Sequence, residues 1–309
     1  MSAAPSVPAN GLDNAAGAHR KTVVLILSHV MDKDIAAFFE NMKEECAKYY
    51  DVVFLCDNSS GVFEEFKSDE DFSLFTAEEL QYLGYPGRSA VVYQDDSRKS
   101  NPYHKNFNFV PGSIDLPVLS FFRENPDYQY YWVVEYDVRY SGSWRRLFTA
   151  FADSDADLLA TTLTRHAAIP DWYHWPGLDL RDLPIRKDQY LRAFLPLYRI
   201  SNQALAQLDS DYRRGVAGHF ECLGPTLLHH AGFKLEDIGG DGEFVRPENR
   251  NRFYRNTPTT KTLAPGSFVF RPVMDRVGGE RDTLWHPVKY TPAWRVALRR
   301  VKRLIRPWP

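Results

Sequence analysis

Apolar and polar positions along this chain follow two alternating periods. Residues 21–30 (KTVVLILSHV) are β-branched and apolar and end in small and polar residues, the pattern of a buried strand. From Asp34 to Tyr50 the apolar positions Ile35, Phe38, Phe39, Met42, Cys46 and Tyr49 recur at helical spacing. Asp51–Cys56 is apolar again and closes on Asp57-Asn58-Ser59-Ser60-Gly61. Strand, helix and strand in this order predict a βαβ unit and a parallel sheet. Further along, the spacing predicts helices at 77–83, 115–125, 144–152, 202–208 and 225–232. It predicts strands at 90–93, 130–138, 156–163 and 190–200, and leaves 165–186 irregular and rich in Trp, Pro and Asp. No repeat or linker interrupts residues 21–290, so one α/β domain with a mostly parallel, helix-flanked sheet is expected.

One strand carries chemistry at its end. Tyr130-Tyr131-Trp132-Val133-Val134 runs into Glu135-Tyr136-Asp137-Val138-Arg139. If the strand continues, Glu135, Asp137 and Arg139 share one face, with the two carboxylates about 7 Å apart. Such a pair suits a hard divalent cation that keeps sites open for phosphates. In open α/β sheets, ligands bind beyond the carboxyl ends of the strands, where these residues fall. The alternative is a pair of solvated acids. Arg139 has the bidentate geometry for a phosphate or carboxylate, Asp137 included.

Composition narrows the setting. Apolar residues make up 44% and charged residues 25%, ordinary for a globular protein. Residues 1–20 are rich in Ala, Ser, Pro, Asn and Gly, with neither a basic start nor an apolar core, and are expected to be a disordered leader rather than a secretory signal. Cys46, Cys56 and Cys222 fit no disulfide framework or Cys-x-x-Cys metal site, which favours a reducing, cytoplasmic compartment. The net charge of -2 hides an asymmetry: residues 289–309 hold seven Lys and Arg and no acid, leaving -9 on the rest. An acidic body argues against nucleic acid as a partner. Within 291–309, Trp294, Ala297, Leu298, Val301, Leu304 and Ile305 form an apolar stripe bordered by cations. Two readings stand: a helix peripheral to the inner face of the cytoplasmic membrane, on anionic lipid, or a helix docked on the acidic body.

The element order, with Glu135-Tyr136-Asp137 as a Glu-x-Asp variant of an Asp-x-Asp motif, resembles the GT-A class of nucleotide-sugar glycosyltransferases. More closely, Tyr131 to Trp144 (YWVVEYDVRYSGSW) resembles a bacterial and fungal family known mainly as a domain of unknown function, over about residues 22–290. The resemblance implies a Rossmann-like GT-A sheet and transfer of a sugar from a nucleotide-sugar donor to a glycan or lipid-linked acceptor. It implies a divalent metal held by Glu135 and Asp137, with His286 completing the shell. An imidazole ligand fits manganese better than magnesium. Asp57 matches the acidic position that touches base or ribose, with Asn58 assisting, although Asp-Asn-Ser-Ser-Gly is equally good Asx-turn chemistry. Ser28 and His29, on the same sheet edge, would line the nucleotide pocket. Lys105 would serve the phosphates as a point charge.

Gly218-His219-Phe220-Glu221 resembles the segment that places an acid below the sugar. Glu221 would be the general base and His219 the second candidate; the alternative for Glu221 is an acid stabilised by the dipole of the helix that follows. Trp172, His174 and Trp175 would form an acceptor platform or simply pack. His229 and His230 face different directions on a helix and read as structural. Two other classes remain: a metal-dependent nucleotidyltransferase, for which no Gly-rich phosphate loop is seen, and a non-catalytic glycan- or partner-binding protein.

Overall fold

The computed structural model describes residues 22–88, 113–256 and 266–289. Nine strands occur there: β1 (Thr22–Ser28), β2 (Asp51–Asp57), β3 (Phe72–Phe75), β4 (Tyr130–Glu135), β5 (Arg139–Tyr140), β6 (Leu158–Arg165), β7 (Leu191–Ser201), β8 (Leu235–Asp237) and β9 (Leu284–Trp285). Seven form one sheet in the order β3-β2-β1-β4-β7-β6-β8, and β5 pairs with β9 in a separate ribbon. Every pairing in the large sheet is parallel except the two made by β7. The α/β class and the mostly parallel, helix-flanked sheet are therefore as the sequence pattern implies.

The helices are α1 (Lys33–Cys46), α2 (Ala77–Gln81), α3 (Leu116–Glu124), α4 (Trp144–Thr149), α5 (Asn202–Arg213) and α6 (Phe220–His230). Asp32 starts α1 by accepting hydrogen bonds from the Asp34 and Ile35 amides, both 2.9 Å. Every residue of β1 is buried, because both faces of the sheet are covered. Val23 and Leu25 join Tyr131 and Val133 in the core under α3, α5 and α6. Val24 and Ile26 join Trp132 and Val134 in a second core under α1 and α4.

One expectation needs correction, and two strands, β3 and β8, have no counterpart in the sequence pattern. β4 stops at Glu135 rather than Val138: the Tyr136 amide completes the ladder on Leu27 O (3.0 Å), and the Val138 amide then closes a turn on Glu135 O (2.9 Å). Strand alternation is lost there. The third strand lies at Phe72–Phe75, inside the acidic stretch, whereas residues 90–93 fall outside the described residues. The short β8 leaves no signal in the sequence because three residues are too few to show a period. The leader, the 291–309 segment and Lys105 also lie outside the described residues. Among those described, no helix is long and apolar enough to cross a membrane.

A buried ion pair braces the helical layer. The Arg88 guanidinium bonds both the Asp115 carboxylate and Gly218 O, and the Tyr212 hydroxyl donates to Asp115 Oδ2 at 2.6 Å. This ties the approach to α3, the body of α5 and the start of α6 to one point. Breaking a buried pair leaves an uncompensated charge, so Asp115→Ala should destabilise the fold by about 3–5 kcal/mol, measured by urea denaturation.

Candidate active site

β1 and β4 are parallel neighbours from which the chain runs to opposite edges of the sheet, so the crevice beyond Ser28 and Glu135 is a topological switch point. The turn after β4 swings Asp137 back beside Glu135. The β5–β9 ribbon supplies the third member: Arg139 pairs with Trp285, and the Val288 amide donates to Asp137 O at 2.8 Å. This register delivers His286 directly to the two acids. Ligand atoms of Glu135, Asp137 and His286 lie within 4.8 Å of one another.

The His286 ring is buried between Phe194 and Phe268, with centroid distances of 5.2 and 5.4 Å. Its Nδ1 lies 2.7 Å from Val269 O, which assigns the proton to Nδ1. Nε2 then faces Asp137 Oδ1 at 3.4 Å and Glu135 Oε2 at 4.0 Å; burial would lower the ring's pKa, but the Asp137 carboxylate outweighs it and raises it. Asp137 Oδ1 is buried without a hydrogen-bond partner. An orphaned carboxylate oxygen, a second carboxylate and an imidazole steered by a backbone carbonyl fit a divalent cation.

Charge in the cluster is unevenly shared. Burial, and then the neighbouring Asp137, push the Glu135 carboxyl up to about 8. Burial also opposes ionisation of Asp137, but His286 and Lys289 outweigh it and hold that carboxyl below the usual range. Lys289 Nζ stands 3.3 Å from Asp137 Oδ2 and donates to the Tyr136 hydroxyl at 2.9 Å. The His29 ring meets Tyr136 edge-on at 5.0 Å; burial, then Lys289, lower it to about 4, so it is neutral at physiological pH.

Glu221 opens α6 beside this cluster. Gly218 adopts φ +149°, and a Cβ there would come within 2.9 Å of Leu178, so glycine lets the chain turn closely into the helix. His219 is the N-cap, its Nδ1 accepting from the Glu221 amide at 3.3 Å. Glu221 Oε1 accepts from the Leu195 amide at 3.3 Å on β7. Burial raises this carboxyl to about 7, with Arg192 working against the rise. Burial and the adjoining His174 lower His219 to about 3.

Other candidates sit at the same edge but are engaged locally. Asp57 Oδ1 accepts from the Ser59 amide (2.9 Å) and hydroxyl, an Asx turn. Asn58 accepts from the Phe63 amide and donates to Glu64, both at 2.9 Å. Ser28 Oγ donates to Val30 O at 2.8 Å. Arg139 is buried over the Phe38 ring (4.2 Å) and donates to Tyr136 O and Val138 O, clamping the turn that aims Asp137. Lys289, Arg192 and Tyr173 lie beside these groups although the sequence pattern does not mark them as site residues. Lys289 begins the basic stretch 289–309, which masks its place three residues after His286. Arg192 had a visible signal, a cation inside an apolar strand.

Residues 22–157 match the model of a family described as a protein of unknown function (DUF3405). The match spans β1 to β5 and stops before β6, well short of residue 290. No curated protein matches the chain. Among solved structures, the chain is similar to the mannosyltransferase Ktr4p from S. cerevisiae in complex with GDP, at 13% identity, covering 74% of this chain and 71% of that one, with a TM-score of 0.39. It is also similar to the UDP-glucose pyrophosphorylase from Leishmania major, at 13% identity, covering 66% of this chain and 54% of that one, with a TM-score of 0.33. Likenesses this distant assign no role to any residue.

Proposed function

We propose that this chain is a metal-dependent glycosyltransferase of GT-A type, taking a sugar from a nucleoside diphosphate donor to an acceptor hydroxyl. The observation that carries the reading is the convergence of Glu135, Asp137 and His286 at the switch point of the sheet. These three residues would hold the cation, and the His286 nitrogen favours manganese. A divalent cation bound there supplies neutralisation of the diphosphate leaving group. Lys289, with 43% of its side chain exposed beside Asp137, adds a further positive charge facing the crevice. His29 and Tyr136 wall the nucleotide side. Glu221, buried nearby and with its pKa raised to about 7, is suited to take the proton of the attacking hydroxyl.

The test is a thermal-shift screen of UDP, GDP, CDP and TDP, each with and without manganese. A ligand at 100 times its Kd stabilises the native state by about 2.7 kcal/mol, which corresponds to about 5 °C in a chain of this size. One nucleotide should give that rise only with manganese, and Asp137→Ala should lose it. Equal stabilisation without manganese, or silence from all four, would overturn the proposal.

A further inference from the structure

A second group of side chains borders the metal-ligand cluster. Residues 172–175 pack onto the start of α6. The Trp172 ring stands edge-on to Trp175 at 5.1 Å and to His219 at 6.0 Å, while His174 stacks on His219 at 3.7 Å. Tyr173, beside this stack, leaves 70% of its surface exposed. The Arg192 guanidinium lies 4.7 Å from the centre of the Trp172 ring, and its Nε is buried without a hydrogen-bond partner.

Three polar groups lie close to these rings: the Tyr173 hydroxyl, Arg192 and Glu221. Although the Tyr173 ring is largely exposed, partial desolvation of its hydroxyl and then the Glu221 carboxylate raise its pKa, with Arg192 opposing. Arg192 in turn feels the charges of both Glu221 and Tyr173. The Glu221 charge also acts on Glu135, which puts Glu221 between this group and the metal-ligand cluster. Arg192 has only donors to offer and ionised Glu221 only acceptors, while the tyrosine hydroxyl serves as either.

The chemistry that matches is a sugar ring. Its carbon-bound hydrogens form an apolar face for an exposed aromatic, and its hydroxyl rim needs donors and acceptors in alternation. Arg192 and Glu221 cancel in charge. An acidic ligand would press a second anion against Glu221, and a basic one would meet Arg192. A neutral polyol satisfies both without leaving either charge uncompensated.

Building on the transferase reading, we infer that Trp172, Tyr173 and Arg192 form the acceptor subsite, and that the acceptor is a neutral saccharide presenting a hydroxyl to Glu221. The sugar face rests on Tyr173 and Trp172, and Arg192 binds its hydroxyl rim.

Saturation-transfer NMR and titration on the full chain with manganese test this, using mannotriose, maltotriose and cellotriose against trigalacturonic acid. At least one neutral trisaccharide should bind, and trigalacturonic acid should bind more weakly. Tyr173→Ala, an exposed position, should weaken that binding about 3- to 10-fold. Arg192→Met should weaken it about tenfold or more. Nucleoside diphosphate affinity should stay within about twofold in both variants, since neither residue lies on the nucleotide side. The inference falls if trigalacturonic acid binds best, if Tyr173→Ala leaves saccharide binding unchanged, or if the nucleotide binds and no neutral saccharide does. Saccharide binding that depends on Tyr173, in a protein that binds no nucleotide, would sustain the subsite and overturn the transferase reading. Silence from both ligands would overturn both.

Discussion

Replacing Glu135 by Gln should abolish any manganese-induced rise in melting temperature and yet leave the metal-free protein more stable than the wild type. Both effects have one cause. The ligand atoms of Glu135 and Asp137 lie within 4.8 Å in a largely buried setting. Burial and the Asp137 charge raise the Glu135 carboxyl to about 8, so near pH 7 the fold must keep it protonated while the unfolded chain ionises it freely. Gln has no proton to hold, so the variant should recover about 1–2 kcal/mol at pH 7, or about 2–4 °C. The amide keeps an oxygen but loses the charge a hard cation needs, so manganese affinity should fall about 100-fold. Differential scanning fluorimetry with and without MnCl2 reads both numbers. A variant that is less stable without metal would mean that the pair does not strain the fold. One that retains the manganese response would mean that the cluster is not a metal site.

That opposition between local stability and site chemistry also explains what the sequence revealed. Glu135 and Asp137 were legible because acids ending a buried apolar strand break a hydrophobic pattern for no structural gain. His286 was legible by order and resemblance. Its approach was not, since it depends on a ribbon between β5 and β9, strands of two residues each that leave no periodic trace. The turn at Tyr136-Asp137 was hidden for a related reason. Val138 and Tyr140 are apolar, so the alternation reads straight through a corner made by backbone bonds to Leu27 and Glu135. Asp57 had two readings, and its local bonding is that of the turn. Arg139 looked like a phosphate ligand because a guanidinium suits one, but burial against Phe38 uses the same flat group to brace the backbone. The antiparallel course of β7 was invisible in its composition. Yet β7 sets Arg192 and the Leu195 amide around Glu221.

Glu221→Gln should lower kcat about 100- to 10,000-fold, the range for losing a positioned general base, while manganese and nucleotide still bind. The wild-type rate should climb with pH through an acid limb near 7, where the buried carboxyl ionises, and the variant should lack that limb. Stability gives an independent check with a definite sign. Below about pH 4 the carboxyl is neutral in both folded and unfolded chains and contributes no difference. As pH rises from there through 7, the unfolded chain ionises first, so the wild type loses stability that Gln does not lose. The variant should therefore match the wild type at pH 4 and exceed it at pH 8 by about 2–3 kcal/mol, read from urea midpoints. His219 provides the contrast. Its Nδ1 caps α6, and burial keeps the ring neutral, so His219→Asn, which preserves a capping side chain, should retain the acid limb. If the limb disappears in His219→Asn and survives in Glu221→Gln, the proton is taken by the histidine and the role assigned to Glu221 is wrong.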